Sequence, residues 1–213
     1  MELDLSAIAD FIPTHPQYAY AAVFLLALSE AVPIVGTVVP GSTLIIAISA
    51  LSGRGDVDAA LLLVAATAGA IVGDGLSYWL GARFHHQILL RWPLNRFPAF
   101  IAYSETFFRK YGTWSVFLAR FTAVVRAFVP LIAGIFRMPA KDFYFANIFS
   151  ALIWAPAHVF PGFFVGAAAS IAGVSSGKLL VLVVLGMLLL SAGVWAFRRF
   201  VIRGIARQGR VPS

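Results

Sequence analysis

Apolar residues fill this chain in blocks of membrane-spanning length, and polar residues gather where the blocks end. A spanning helix takes roughly 20 mostly apolar residues. Leu179 to Phe197 is nineteen residues without a charge, with Trp195 near its end as an interfacial anchor. Phe143 to Gly177 carries no charge over thirty-five residues, too many for one straight span. The pattern there predicts a spanning helix over about 143–170, then a short turn holding Gly173, Ser175, Ser176 and Gly177, with Lys178 opening the last helix. Ala59 to Arg83 predicts a further span with a single acid, Asp74. Within it Gly69, Gly73 and Gly81 repeat small residues at spacings that let another helix approach closely.

Two apolar stretches are broken. Gln17 to Leu51 is apolar except for Glu30, and Pro33, Gly36, Pro40 and Gly41 interrupt its middle. Proline removes a backbone donor and clashes with the preceding turn, so one continuous helix is not expected there. The freed backbone groups cannot face lipid and must pack in protein or line a wet cavity. A re-entrant hairpin with its tip near Pro40-Gly41 satisfies that requirement. Residues 111–136 are also apolar but hold Arg120, Arg126, Pro130 and Gly134. Their length suits one span or a second hairpin, and Pro130 and Gly134 allow a bend just after Arg126. Between the two stretches, Arg83, Arg91, Arg96, Arg109 and Lys110 interleave with Trp92, Phe97, Phe100, Tyr103, Phe107 and Phe108, against the single acid Glu105. That reads as an amphipathic segment at the cytoplasmic surface. Paired Gly/Pro-interrupted segments, each ahead of a spanning helix, are the sequence mark of a transporter built from inverted repeats.

The predicted fold is therefore an all-α integral membrane protein, one membrane domain over 1–213. Residues 18–83 form the first hairpin and its transmembrane helix, 84–110 the amphipathic segment, and 111–172 the second hairpin and its transmembrane helix. A C-terminal transmembrane helix follows over 178–197, then a basic cytoplasmic tail over 198–213. Composition agrees: of 213 residues 61% are hydrophobic and 12% charged, where soluble domains run near 45–50% and about 25%. A water-soluble protein is thereby excluded. There is no cysteine, hence no disulfide or thiolate metal site. The net charge of +7 includes five arginines and no acid in the last sixteen residues, which predicts a cytoplasmic C-terminus. In so apolar a chain this basicity points to an anionic leaflet or a phosphate-bearing ligand before nucleic acid. Met1 to Asp10 has three acids and no basic residue, so no cleaved signal peptide is expected.

A charge at mid-bilayer costs about 2.5–3.5 kcal/mol on insertion scales. Glu30, Asp74, Arg120 and Arg126 all fall inside apolar stretches. Two acids against two arginines could form structural ion pairs that hold the halves together. They could also form a phosphate site, because arginine's planar fork suits bidentate phosphate binding, with an acid that takes up and releases a proton. Arg120 and Arg126 are six residues apart, about 240° around a regular helix after one full turn, and so share no face. They converge on one ligand only if the chain bends; otherwise one serves the ligand and the other an acid. Ser42-Thr43 could donate hydrogen bonds to an anion at a half-helix start, although capping that helix is the simpler role. His158 fits a satisfied core histidine better than a proton carrier, and His85-His86 fits an interfacial pair better than a metal site. No serine–histidine or paired-histidine arrangement suits nucleophilic catalysis, so neither an enzyme nor a cofactor is expected.

The run Phe117-Leu-Ala-Arg120-Phe121, followed by Arg126, Pro130 and Ala133-Gly134, resembles the arginine signature of the DedA family of membrane proteins, also described as the SNARE-associated or VTT domain. Glu30 with Pro40-Gly41 and Leu44 is similar to the family's acidic proline-glycine hairpin. Gly73-Asp74 with Tyr78 and Gly81, and Asn147, Trp154, Gly162 and Gly166, resemble its two following helices. The resemblance covers about residues 20–170. It implies two re-entrant hairpins facing each other from opposite sides, and a multi-pass protein of the bacterial inner membrane. It also implies transport of a lipid with a phosphate head group: return of undecaprenyl phosphate across that membrane, or flipping or scrambling of phospholipids. By position, Glu30, Arg120 and Arg126 fall on the family's functional charges. The implied assignments are phosphate binding at Arg120 and Arg126, helped by Ser42 and Thr43, and proton coupling at Glu30 and Asp74. There are two departures: Ser42 stands where the family often has an acid, and Ala123 where it has a proline. The missing acid leaves Glu30 to carry a proton alone, Asp74 to substitute, or transport to run uncoupled. A lipid phosphatase is the enzymatic alternative, and homo-oligomers are open.

Overall fold

The computed structural model describes residues 15–32, 35–38, 40–85, 98–122 and 126–174, together with isolated positions 87, 95, 178, 185 and 186. The expected last transmembrane helix, the basic tail, the acidic N-terminus, Ala123 and most of 86–97 lie outside the described residues.

Within them the chain is helical. The first helix, α1 (Pro16–Ala31), starts with proline in its first turn, where no amide donor is needed. It stops just ahead of Pro33, and the chain continues through a four-residue turn of helix, α2 (Val35–Val38), before α3 (Gly41–Ser52) begins directly after Pro40. Asp58 caps the long α4 (Ala59–Phe84), its Oδ1 accepting from the amides of Ala60 at 2.7 Å and Leu61 at 3.1 Å. Helix α5 (Pro98–Tyr111) covers part of the expected amphipathic segment and carries Arg109 and Lys110 in its last turn, where cations suit the helix dipole. Two short helices follow, α6 (Trp114–Ala119) and α7 (Val129–Ile135), and then α8 (Ala140–Ile171), which contains Pro156 and Pro161. In the second interruption the described residues 120–122 and 126–128 lie outside any helix, so the chain is out of helical form after α6 and also just after Arg126. Pro130 does not break the chain; it sits in the first turn of α7, where its ring and missing donor are harmless.

Helices α4 and α8, of 26 and 32 residues, are about 39 and 48 Å long by helical rise. Both are apolar and long enough to cross a hydrocarbon layer of about 30 Å. Val64, Val72, Leu76 and Trp79 on α4, and Phe145, Phe149, Leu152 and Phe164 on α8, are exposed. An apolar face of that extent needs lipid or protein against it.

The two broken segments approach this pair from opposite ends. Helix α1 runs alongside α4: the Asp58 amide donates to Tyr20 Oη at 3.1 Å, and Ser77 Oγ donates to the Ala31 carbonyl at 2.8 Å. Helix α3 then returns toward the starting end, where Arg54 donates to the Val174 carbonyl at 2.6 Å. Helices α6 and α7 enter and leave at the other end, where Tyr78 Oη donates to the Met138 carbonyl at 2.6 Å and its ring stacks on Phe143 at 4.2 Å. Each long helix thus packs on the first arm of one broken segment and the second arm of the other: α4 on α1 and α7, α8 on α6 and α3. Glycine permits the closest of these contacts. A Cβ on Gly166 would lie 1.8 Å from the Ala50 carbonyl oxygen, and one on Gly81 would lie 2.1 Å from that of Leu131.

The apolar core divides accordingly. Val23, Ala27, Ile45, Leu62, Ala66, Trp154 and Val159 form one cluster. Val116, Val129, Ala133 and Phe143 form a second, beside a third built on Phe128, Leu131 and Ile132. Along α4, Asp74 falls between the residues given to the first cluster and those given to the others. Along α8, Asn147 and Ser150 do the same. Asp74, Asn147 and Ser150 therefore lie at the seam where the two broken segments meet.

Candidate functional site

The seam holds two ion pairs. In the deeper one the Arg120 guanidinium donates to the Asp74 carboxylate, to Asn147 Oδ1 at 2.5 Å and, through Nε, to Ser150 Oγ at 2.9 Å. Its partners are themselves held. Asn147 Nδ2 donates to the Ile71 carbonyl at 3.2 Å, and Ser150 Oγ donates to the Asn147 carbonyl at 2.9 Å. Arg120 closes α6, while its acceptors come from α4 and α8, so this pair ties the second broken segment to both long helices.

The second pair joins the two tips. Arg126 Nη2 lies 2.5 Å from Glu30 Oε2, and its Nη1 donates to Ser42 Oγ at 3.2 Å. Ser42 in turn donates to Glu30 twice, from its backbone amide to Oε1 and from its hydroxyl to Oε2 at 2.9 Å. Ser42 is thus not the cap of its own helix. Pro40 precedes α3 and has no hydrogen-bonding side chain to offer, and the Glu30 carboxylate, reaching across from α1, accepts an amide in the first turn of α3. An anion there is favoured by the unpaired amides and the positive end of the helix dipole. Thr43 takes no part in these bonds.

The two arginines differ in access, while their acids are buried alike. The Arg120 side chain is 3% exposed and that of Arg126 16%. Both guanidinium groups nevertheless approach one ring: their central carbons lie 5.9 Å and 4.7 Å from the Trp154 indole. The chain is out of helical form at both arginines, so their opposed helical phases no longer apply. It brings them to one place while giving each its own acid.

Trp154, Asn147 and Ser150 were not among the predicted site residues. Asn147, Ser150, Trp154 and His158 succeed one another at three, four and four residues, a stripe down one face of α8. That stripe was available in the sequence as a polar and aromatic line within an apolar helix. His158 donates from Nδ1 to the Trp154 carbonyl at 2.8 Å, and its ring lies 4.4 Å from the indole. At the surface His85 meets Arg137 at 3.3 Å.

An all-helical protein with two long apolar helices, an exposed apolar belt and opposed ion pairs inside it belongs among membrane proteins. The VTT domain matches residues 39–164, more than half of the chain. The inner membrane protein YabI of Escherichia coli is 33% identical over 87% of this chain and 73% of its own length. Protein DedA of the same species is 28% identical over 75% of this chain and 74% of its own. A membrane protein of Synechocystis is 35% identical over 70% and 68% respectively. No solved structure matches the chain. The chain belongs to the DedA family of VTT-domain membrane proteins.

Proposed function

We propose that this protein carries a phosphate-bearing lipid across the bacterial inner membrane, with undecaprenyl phosphate as the first candidate and phospholipids as the second. The observation that carries this reading is the state of Arg126. Its fork, the Ser42 hydroxyl and the first turn of α3 together make an anion site, and the chain's own Glu30 carboxylate fills it. A phosphate has the charge and acceptor geometry to replace that carboxylate. Moving such a head group unaided through hydrocarbon is slow because its charge must be desolvated. A groove supplying a guanidinium and hydroxyl lowers that barrier without bond chemistry. Glu30 neutralises Arg126 in the empty site and releases it when phosphate or a proton arrives. Asp74 does the same for Arg120 only if three well-made hydrogen bonds give way, so Arg120 acts chiefly by fixing the second tip.

In this reading the two broken segments are re-entrant hairpins. One end of the α4–α8 pair carries Arg83, Arg109, Lys110, Arg137 and Lys141, and the other carries Arg54 beside Asp56 and Asp58. The positive-inside bias makes the first end cytoplasmic. The α6–α7 hairpin then enters from the cytoplasm, the α1–α3 hairpin from the opposite side, and the basic C-terminal tail returns to the cytoplasm. The relative YabI, named as an inner membrane protein, supports the location.

The test is reconstitution in liposomes with labelled undecaprenyl phosphate and labelled phospholipids, with and without a pH gradient. Movement of one lipid class, lost on Arg126→Ala, is the expected result. Wild-type rates for both Arg120→Ala and Arg126→Ala would discard the phosphate site. Exchanging the charges of Glu30 and Arg126 restores function if the pair only locks the fold and leaves it lost if Arg126 meets phosphate. Release of inorganic phosphate would point instead to a lipid phosphatase.

A further inference from the structure

The geometry points to Trp154 as a positioning residue of the anion site: its indole holds Arg126 by the face so that the edge of the guanidinium stays free to exchange one anion for another. This rests on the phosphate reading above. The argument starts from what a guanidinium can offer. Its N–H groups point outward in the plane, and its two faces donate nothing. Glu30 and Ser42 occupy the edge of Arg126, at 2.5 and 3.2 Å. The Trp154 ring lies 4.7 Å from its central carbon, within the range of a cation–π contact. Replacing Glu30 by a phosphate changes the edge partner and leaves the ring contact as it was.

Such a support matters because the exchange passes through a moment when Arg126 has lost one anion and not yet gained the other. A buried cation without a partner is strongly disfavoured. The negative face of an indole, best of the aromatic rings for this purpose, offsets part of that loss and keeps the fork aimed. The ring itself is well anchored. Trp154 is 1% exposed and packs in the core shared by α1, α3, α4 and α8. Below it, His158 lies against the indole and is tied by Nδ1 to the Trp154 carbonyl, which fixes both side chains on one turn of α8. The same indole is 5.9 Å from Arg120. Arg120 gains less from it, since its edge is already engaged by Asp74, Asn147 and Ser150.

The deciding experiment replaces Trp154 with mono-, di- and trifluorinated tryptophan in the full chain and measures half-saturating lipid concentration and maximal rate in liposomes. Fluorine draws charge from the ring face with little change of shape, so a packing role is not disturbed. The expected result is a stepwise fall in maximal rate, reaching about tenfold for the trifluoro ring, with half-saturating concentration changing less, because the ring contact is the same with either anion bound. Trp154→Phe should fall within the series, and Trp154→Leu beyond it if that variant folds. A flat series overturns the inference. Arg126→Ala, run in parallel, separates the two claims. If it abolishes transport while the series is flat, Trp154 only packs; if it transports normally, the phosphate site itself is wrong.

Discussion

Arg120 binds Asp74, Asn147 and Ser150, all from the two long helices, whereas Arg126 binds Glu30 and Ser42, both from the opposite hairpin. The first set comes from the two long helices and is nearly closed to solvent. The second joins two tips, is partly open, and includes a carboxylate at a helix start where any anion would be welcome. In the proposed reading, the two arginines on one broken segment are divided between a joint and a binding group. A buried pair contributes little net stability when intact but costs heavily when one partner is removed. A pair whose cation keeps some exposure can lose its partner to a competing ion.

The strongest attack on this contrast is Asp74→Ala. It leaves the Arg120 charge buried without its counter-ion and should cost about 3–5 kcal/mol, seen as a large drop in thermal unfolding midpoint in detergent. An unchanged midpoint would show that the deep pair is not a joint. Arg126→Ala should separate stability from function: about 1–2 kcal/mol of stability from lost hydrogen bonds, but transport near background. Arg126→Lys should recover most of the stability and little of the transport, because a point charge lacks the fork.

A finer probe is Gly41→Ala. The added Cβ would lie 2.6 Å from Glu30 Cγ and 2.9 Å from its Cδ, so the flexible carboxylate must move away. Loosening the internal anion should lower the half-saturating lipid concentration about threefold, the effect of ~0.6 kcal/mol from a perturbed hydrogen bond. The Arg120 network and the unfolding midpoint should stay as they are. A higher concentration would mean that Glu30 helps the ligand rather than competes with it. The smallest effect belongs to Arg109→Ala, which breaks the exposed bridge to Glu105 at 3.1 Å. It should change stability by about 0.3–0.5 kcal/mol and leave transport alone, giving the baseline for the others.

Much of this arrangement is local chemistry and could be read along the chain. The first helix ends at Ala31, just ahead of Pro33, and α3 starts directly after Pro40, so the first break was legible, as were the spans ending near Arg83 and Ile171. The charges that must be buried were legible too, because few residues interrupt such long apolar runs. The second break was harder. Pro130 stands at the opening of α7, and a proline that opens a helix and one that interrupts it look alike until the helix start is known. Ser42 likewise looked like a cap, and only the reach of Glu30 across the hairpin reassigns it.

By itself, then, the order of residues determined where helices can run, which of them suit a bilayer, and which four charges need partners inside it. Only the tertiary structure decided that Glu30 meets Arg126, that Asp74 meets Arg120, and that Trp154 lies beside both. The reason is one of range. Proline stops and apolar length act within a few turns, whereas these pairings join residues 46 to 96 positions apart. Nothing in the local sequence distinguishes one acid from the other until α1 has docked on α4 and the two hairpins have met.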